Sequence, residues 1–497
     1  MSRSTDTALP REEPAMNGGT AALWAGVAKV EVTDREAGPV NDPLYVKALV
    51  LRSPDTTAVI VTVDAVALAE IGPVPGDYLP TVRAALQREL GLEPAHLLVN
   101  ASHCHGLVCG QVAERTVEAV KAAWQAVEPV KVGTGVGHED RIMENRRLRL
   151  RRGREADVRH AYSLPPDEEI EGTGPVDPEI GILRLDRLDG RTLAVVYHFA
   201  CHPIQGVPSG GNTADLVGFA SRVIETGCGN GAMALFLQGC AGDINPVYYK
   251  DVDHPRDAEP LGNLLGLSAL AALKRIECRD ESALRLVHAS LDLPRADLAP
   301  FIEDLEIEQV RLLESLTGTT LNLKTFLHLA ARYGLASDFP SCYSHRYLHD
   351  RARGCGDLDR LDAENRLRLA EYAARVHVME ELTRVRTNLD LLRLHHGRNL
   401  AAGSRTLTVE LTGLRVGDFR LVTFPGEPSV EIGLRIKEAS PHSRTFVAGY
   451  TNGYIYYAPT AVQLANRGWA QEDSDCELAP DWQALFEAKA GELRRAL

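Results

Sequence analysis

Residues 57–68, TAVIVTVDAVAL, decide the fold together with the two segments that follow them. This apolar run is typical of a buried strand, residues 78–90 have helical spacing, and LLVNAS at 97–102 is typical of a second buried strand. Upstream, VAKVEVT (27–33) and LYVKALVLRS (44–53) add two more strands. This alternation of buried strands with helices predicts an α/β fold.

The same alternation continues downstream and returns near the end of the chain. Residues 405–424, RTLTVELTGLRVGDFRLVTF, predict a hairpin that turns at 416–418. Between these β segments, residues 296–390 carry leucines at helical spacing and few β-branched residues. We therefore predict a disordered lead at 1–22 and a single discontinuous catalytic domain at 23–497, with a helical insertion at about 296–390.

Composition excludes several classes of protein. The chain has 497 residues, and its 54 lysines and arginines against 68 aspartates and glutamates give a formal charge of −14. Nucleic acid is therefore not expected as a partner, because phosphate binding needs clustered cations. The one basic cluster, RRLRLRRGR at 146–154, alternates with apolar residues and favours a strand with one solvated face over a polyanion site.

Hydrophobic runs and cysteine spacing indicate where the protein is located. No run approaches the ~20 apolar residues of a membrane span, so integral membrane contact is not expected. The polar N-terminus has no apolar signal region, and the nine cysteines are scattered without a CxxC pair. These features favour a cytoplasmic protein with reduced thiols and a small-molecule substrate. They are compatible with a homo-oligomer.

Polar motifs follow four apolar strands. SHCHG (102–106), FACHP (199–203), GCAGDINP (239–246) and PGEP (425–428) each begin where such a strand ends. His103 and His105 could share a metal or divide into a ligand and an acid/base group. Two imidazoles and a carboxylate form a nitrogen and oxygen set suited to zinc, with a position open for water or substrate.

Seven motifs in order resemble the catalytic domain of the neutral ceramidases over about residues 25–475. They are SHCHG, NRR (145–147), FACHP, TADLVGFA (213–220), GCAGDINP, PGEP and VAGYTNGYIYYAPT (447–460). The resemblance implies a layered mixed-sheet catalytic domain with a zinc ion bound by His103, His202, Glu427 and Tyr454. It also implies catalytic or substrate-binding roles for His105 and Arg146.

The chain departs from the family at three points. Downstream of the N-x-Y motif the ceramidases continue with further tyrosines, whereas this sequence reads AVQLANRGW at 461–469, so the family's late catalytic tyrosine has no match there. Where the ceramidases carry a proposed serine nucleophile, this sequence has Asn245, and an amide cannot act as that nucleophile. The family's signal and immunoglobulin-like C-terminal domain have no counterpart in the sequence, which favours a soluble amide over a membrane lipid. Asp243 and Asp215 are candidate partners that orient the ligand imidazoles.

The leading hypothesis is a zinc-dependent amidohydrolase that cleaves an amide in a soluble small molecule with activated water. In this mechanism His105 exchanges protons, while Arg146 and Asn245 donate hydrogen bonds to the substrate. One alternative is a zinc-dependent enzyme of small-molecule biosynthesis that forms an amide or ring, or rearranges its substrate, without hydrolysis. The other is a non-catalytic binding protein that contains zinc.

Overall fold

The computed structural model describes residues 23–157, 164–165, 167–207, 210–249, 251–335 and 346–497. The predicted disordered lead at 1–22 lies outside the described residues. Among the helices of the described residues, none combines the length and the apolar character that crossing a membrane would need.

Strands and helices alternate over most of the described chain. The strands are β1 (Trp24–Glu31), β2 (Tyr45–Arg52), β3 (Thr57–Val63), β4 (Leu97–Ala101), β5 (Glu128–His138), β6 (Met143–Asn145), β7 (Arg147–Leu150), β8 (Glu155–Asp157), β9 (Ile170–Thr173), β10 (Glu179–Arg187), β11 (Thr192–Phe199), β12 (Met233–Gln238), β13 (Ile244–Pro246), β14 (Leu284–Pro294), β15 (Thr406–Val416), β16 (Phe419–Thr423), β17 (Glu427–Pro428), β18 (Thr445–Ala448) and β19 (Tyr457–Ala458). The helices are α1 (Tyr78–Leu90), α2 (Val112–Gln125), α3 (Asp215–Cys228), α4 (Glu259–Leu273), α5 (Ala299–Ser315), α6 (Leu323–Leu335), α7 (Arg346–Ala352), α8 (Asp357–Ala402), α9 (Val430–Glu438), α10 (Ala461–Leu464), α11 (Gln471–Ser474) and α12 (Trp482–Ala496).

The largest sheet has eight strands in the order β12-β11-β10-β5-β1-β2-β3-β4. It is mixed, because β3 pairs with β4 and β11 with β12 in parallel while the other neighbours are antiparallel. A second sheet has the order β14-β15-β16-β18. The predicted α/β class and the predicted hairpin of β15 and β16 are both confirmed.

Successive residues along a strand of the large sheet pack into two different hydrophobic cores, one on each face. In β2, Val46, Ala48 and Val50 pack in the cluster that contains buried residues of α1 and α2, whereas Leu49 and Leu51 pack in the cluster shared with the second sheet. This division follows from the two-residue side-chain period of a strand. Helices α3 and α4 contribute to a third cluster with β10, β11 and β12.

The second sheet is covered on its other face by α9 and α12. Val409 and Val422 of this sheet share a cluster with Ile432 of α9 and with Trp482 and Phe486 of α12. The two sheets therefore lie face to face between outer helices, in a layered α/β arrangement.

A group of helices interrupts the second sheet between its neighbouring strands β14 and β15. Helices α5 to α8 occupy this interval, and α5 packs along α8 through residues such as Leu312 and Leu389. The helices extend to Ala402, beyond the predicted limit at 390, because α8 runs unbroken for 46 residues.

Strand β7 forms within the basic cluster, as its alternation predicted, and pairs with β8 and β9. The expectation of solvated arginines holds for Arg149, which is exposed, and is wrong for Arg146 and Arg147, which are buried. Their guanidinium groups are retained in the interior by carboxylates from the segment 472–473.

The ends of several strands meet at one place. Gln238 at the end of β12 donates its backbone N–H to the Asn100 side chain in β4 at 3.0 Å, so the two edge strands of the large sheet lie together there. On its other side Ala101 donates to the carbonyl of Tyr450 at 3.0 Å. The ends of β4, β12 and β18 thereby meet, and β11 and β16 end beside them because they pair in parallel with β12 and β18.

Candidate metal centre

His103 leaves the end of β4 in a left-handed backbone conformation, with φ +64°. Its backbone N–H donates to the carbonyl of Ala65 at 2.9 Å, which ties this turn to the loop after β3. The ring Nδ1 lies 2.6 Å from the carbonyl oxygen of Val66. Because a carbonyl can only accept, Nδ1 carries the proton, and the lone pair of the neutral ring is on Nε2.

His202 repeats this arrangement after β11. Its Nδ1 lies 3.0 Å from the carbonyl oxygen of Ile244, and its Nε2 lies 3.2 Å from Oε2 of Glu427. Nε2 of His103 lies 3.5 Å from the same carboxylate oxygen. Both imidazoles are thus oriented by backbone carbonyls, as metal-binding histidines commonly are, with Nε2 directed toward Glu427.

Glu427 is fixed by its own strand and by two tyrosines. It belongs to β17, and its N–H donates to the carbonyl of Tyr456 at 2.9 Å. The hydroxyl of Tyr454 donates to Oε1, and the hydroxyl of Tyr450 donates to Oε2 at 3.3 Å. Burial raises the pKa of both tyrosines above the ordinary value, so both phenols stay protonated and act as donors.

The three predicted ligands form one buried group. Ligand atoms of His103, His202 and Glu427 lie within 4.8 Å of one another. Burial lowers the pKa of His103 to about 4, so this imidazole is neutral and able to bind a metal at neutral pH. Burial alone would raise the pKa of Glu427, but the facing imidazoles and the Tyr454 hydroxyl hold it below its ordinary value.

This donor set fits a divalent metal ion. It offers two imidazole nitrogens with fixed tautomers and an ionised carboxylate, and a cation there would compensate the buried negative charge. Tyr454, the fourth predicted ligand, lies beside this group and bonds Glu427 through its hydroxyl. Sequence reasoning did not identify Tyr450, although its hydroxyl reaches the same carboxylate from the segment that contains Tyr454.

The two histidines of the SHCHG motif lie in different surroundings. His103 is buried, whereas His105 is exposed, and their ring centroids are 5.4 Å apart. The structure therefore places His105 at the edge of the site, outside the three-residue group.

Arg146 and Asn245 lie together in the interior. Nη1 of Arg146 donates to Oδ1 of Asn245 at 3.0 Å, and Nη2 donates to the carbonyl of Gly242 and to the Tyr457 hydroxyl, the latter at 3.4 Å. Glu472 lies 2.6 Å from Nε. Because arginine can only donate, Oδ1 of Asn245 must face Arg146, and the NH₂ group of Asn245 is directed elsewhere.

Asp215 and Asp243 differ from the expectation that they orient the imidazoles. Asp215 accepts hydrogen bonds from three backbone N–H groups, those of Gln205, Gly206 and Leu216. Asp243 accepts from the N–H of Val430 at 2.8 Å and from the Asn145 amide at 3.1 Å. Their carboxylates fix loops and the start of α9, while backbone carbonyls orient His103 and His202.

A pair of buried acids was not identified from the sequence. Glu472 and Asp473 are buried and pair with Arg146 and Arg147. The sequence does carry one indication of this pairing, because the NRR segment at 145–147 is basic and the QEDSD segment at 471–475 is acidic. Opposite charges in two distant segments indicate an ion pair only when the fold is known to bring those segments together.

A layered mixed sheet with a buried His-His-Glu group at its strand ends defines a class of candidate metalloproteins. Two solved structures share this fold, a neutral ceramidase from Pseudomonas aeruginosa and a ceramidase complexed with C2. Each aligns with a TM-score of 0.60 and 15% sequence identity over 96% of this chain, covering 75% and 76% of the respective neighbour. No protein-family model and no curated protein matches the sequence. The expected ceramidase-like layered fold is confirmed.

Proposed function

We propose that the protein is a zinc-dependent amidohydrolase that cleaves an amide in a soluble small molecule. The buried group of His103, His202 and Glu427 carries this proposal, since its ligand atoms could hold a metal ion in a fold shared with two ceramidases. His103, His202 and Glu427 would hold the zinc ion, and Tyr454 would complete the set or bond the carboxylate ligand. When bound, zinc supplies an electrophile that polarises an amide carbonyl and acidifies water.

The chain's own residues would handle the protons and the substrate. His105 at the edge of the site would accept a proton as water attacks the amide carbon and donate one to the departing amine nitrogen. One C–O bond forms and the C–N bond breaks, which leaves a carboxylic acid and an amine. Asn245 offers no nucleophile, so water is the attacking group.

Arg146 would act mainly through Asn245. Its guanidinium group holds the amide oxygen of Asn245, so that the Asn245 NH₂ group is available to donate to the substrate carbonyl. Glu472 retains the arginine charge in the interior. This division of roles refines the direct substrate contact predicted for Arg146.

Polar groups around the site support a soluble substrate. His105 and Glu70 are exposed, and Glu70 pairs at 2.9 Å, oxygen to nitrogen, with the half-buried Arg398, whose guanidinium group lies over the Tyr456 ring. Charged and imidazole groups favour a substrate with polar groups of its own near the amide.

The deciding experiment measures turnover of a panel of small amides in water enriched in oxygen-18. Hydrolysis places one solvent oxygen in the acid product, whereas formation of an amide or ring does not. Label-free product would replace the proposal with the non-hydrolytic alternative. Metal-loaded protein that binds but converts none of the amides would favour a binding protein.

A further inference from the structure

A cavity of about 690 Å³ lies between the helical insertion and the segment that follows β19. Helices α5 and α8 line one side of it, and the turn between β7 and β8 together with residues 462–469 lines the other. Its walls include none of the candidate metal ligands His103, His202 and Glu427. The cavity is therefore a place where a second ligand could bind.

Arg467 on the cavity wall carries a charge that no neighbouring carboxylate balances. Its side chain is only 7% exposed, and its Nη2 donates to the carbonyls of Cys476 and Leu478 at 3.4 and 2.7 Å. Within the described part of the chain, Nη1 has no acceptor and the guanidinium group has no ion pair. Nε is buried, but Nη1 remains accessible. Because a buried cation without a partner is costly, an anion in the cavity would compensate it.

Two further side chains on the cavity walls have unused donors. The guanidinium group of Arg154 lies 4.6 Å from the ring centroid of Trp469, and among the described residues it has no hydrogen-bond acceptor. The indole Nε1 of Trp469 also has no acceptor there, and it is not among the buried atoms. Arg154 is exposed and Trp469 is half-buried, so both donors can be reached from solvent.

Apolar groups lie beside these donors. The Arg467 guanidinium group lies 5.4 Å from the ring centroid of Phe301, which lines the same cavity. Leu305, one turn further along α5, is a buried part of the wall. A few donors in a partly apolar cavity are typical of a site for a small organic molecule. The combination favours a ligand with an acidic head and an apolar body.

The charges of the lining favour a single negative charge on that head. Arg384 and Glu308 each belong to an ion pair of their own. The remaining charged groups of the wall are Arg154, Arg467 and the exposed Asp304, which has no ion pair within the described residues. Two free cations and one free carboxylate leave one net positive charge, which matches a monoanion better than a phosphate dianion.

We propose that this cavity binds an organic monocarboxylate, with its apolar body against Phe301 and Leu305. Arg154 and Arg467 bind the carboxylate group, whereas Asp304 opposes it. The site is separate from the candidate metal centre, so the proposal stands independently of amide hydrolysis. The opposite effects expected for the arginines and the aspartate distinguish recognition of an anion from a general structural role.

The test measures binding to the full chain by calorimetry, with octanoate, octanol, octylamine and octyl phosphate as probes. The variants are Arg154→Gln, Arg467→Gln and Asp304→Asn. Arg386→Gln is the control, because Arg386 forms an exposed pair with Asp390 on α8. Since a carboxylate can also bind zinc, each titration is repeated on zinc-free protein prepared with chelator. Melting temperatures show whether Arg467→Gln folds, and Arg154→Gln changes an exposed side chain and decides the matter alone.

Octanoate should bind the wild type about 10- to 100-fold more tightly than octanol or octylamine, with or without zinc, as expected for charge-assisted contacts. Arg154→Gln and Arg467→Gln should each weaken octanoate binding about 10-fold and leave octanol binding unchanged. Asp304→Asn should strengthen octanoate binding, and Arg386→Gln should preserve it.

Four outcomes would overturn the proposal. They are equal affinities for octanoate and octanol in the wild type, unchanged octanoate binding in Arg154→Gln, loss of octanoate binding in zinc-free protein, and tighter binding of octyl phosphate than of octanoate. The third would place the carboxylate at the metal centre, and the last would identify a phosphate site.

Discussion

His103 and His105 are chemically identical residues to which the structure gives different surroundings. His103 is buried with its tautomer fixed by Val66, and His105 is exposed. We expect His103→Ala to lose bound zinc, because one ligand of a buried group is removed. His105→Ala should keep near-stoichiometric zinc and lose on the order of 10²- to 10⁴-fold in turnover, the usual contribution of a positioned proton-transfer group.

Metal analysis and rate measurements on both variants check this assignment. Equal loss of zinc in the two variants would show that both histidines are ligands. Full activity in His105→Ala would exclude that residue from proton transfer.

Asn245 allows a second test at the residue scale. Asn245→Asp keeps an oxygen for Arg146 but replaces the NH₂ donor by a second acceptor. If that donor stabilises the substrate carbonyl in the transition state, turnover should fall by about 10²- to 10³-fold. Zinc content and the melting temperature should change little. Unaltered turnover in the variant would mean that Asn245 does not contact the reacting carbonyl.

At the scale of elements, the sequence predicted the helices and strands whose limits depend on the local pattern of apolar residues. Helix α1 has the predicted limits Tyr78–Leu90, and strands β2, β3 and β4 fall within the predicted apolar runs. Pairings between distant segments were not predictable in this way, such as β14 with β15 across more than a hundred residues. Register between such strands depends on tertiary packing, which leaves no local periodic signal.

The candidate site shows the same division. The candidate ligands His103, His202 and Glu427 could be named because each follows an apolar strand in a motif of the resembled family. The orientation of the two imidazoles could not be predicted, because the backbone carbonyls of Val66 and Ile244 fix it. A backbone carbonyl is present in every residue and leaves no mark in the sequence. For the same reason Asp215 and Asp243 were expected in a role that backbone groups fill.

Glu410 of β15 joins the second sheet to helix α1, which packs on the large sheet. Its carboxylate accepts two hydrogen bonds from Arg83 of α1, at 2.7 and 2.6 Å, and one from Asn452 at 2.7 Å. Burial alone would raise the pKa of Glu410, but Arg83 and His288 hold it below its ordinary value. A carboxyl with a lowered pKa in the folded state stabilises the fold above its unfolded pKa, and this stability is lost as the pH falls through the folded value.

We therefore expect Glu410→Gln to lower the free energy of unfolding by about 1–3 kcal/mol at pH 7. The difference from wild type should shrink as the pH falls below about 4.5, the ordinary glutamate pKa, because the protonated carboxyl then resembles the amide. Urea unfolding across this pH range measures the effect. Glu308→Gln, which removes an exposed pair with Arg311, is the matched control and should cost about 0.5 kcal/mol or less. A difference that grows toward acid pH would contradict the assigned direction.

At the scale of the whole molecule, the polar groups around the candidate site predict substrate preference. Long-chain ceramide in detergent micelles should be cleaved poorly or not at all, while some small polar amide is accepted. The reason is that an aliphatic chain beside these groups would have to desolvate His105 and the Glu70–Arg398 pair. Assays of both substrates at equal enzyme concentration decide the matter. Efficient ceramide cleavage would show that these polar groups do not select against lipid and that the serine of the ceramidases is dispensable.

The candidate metal ligands come from positions 103, 202 and 427, so an ion bound there would connect segments that are distant in the chain. Such a site exists only when both sheets are assembled, and metal binding should therefore stabilise the entire fold. We expect close to one zinc ion per chain, and chelation should lower the melting temperature and abolish activity. At free zinc about 1,000 times its dissociation constant, the gain in stability should be about 4 kcal/mol. His103→Ala should lose most of this zinc-dependent increment, whereas Glu308→Gln should retain it. An identical melting temperature for wild type with zinc and with chelator, together with no tightly held metal, would contradict a metal site at His103, His202 and Glu427.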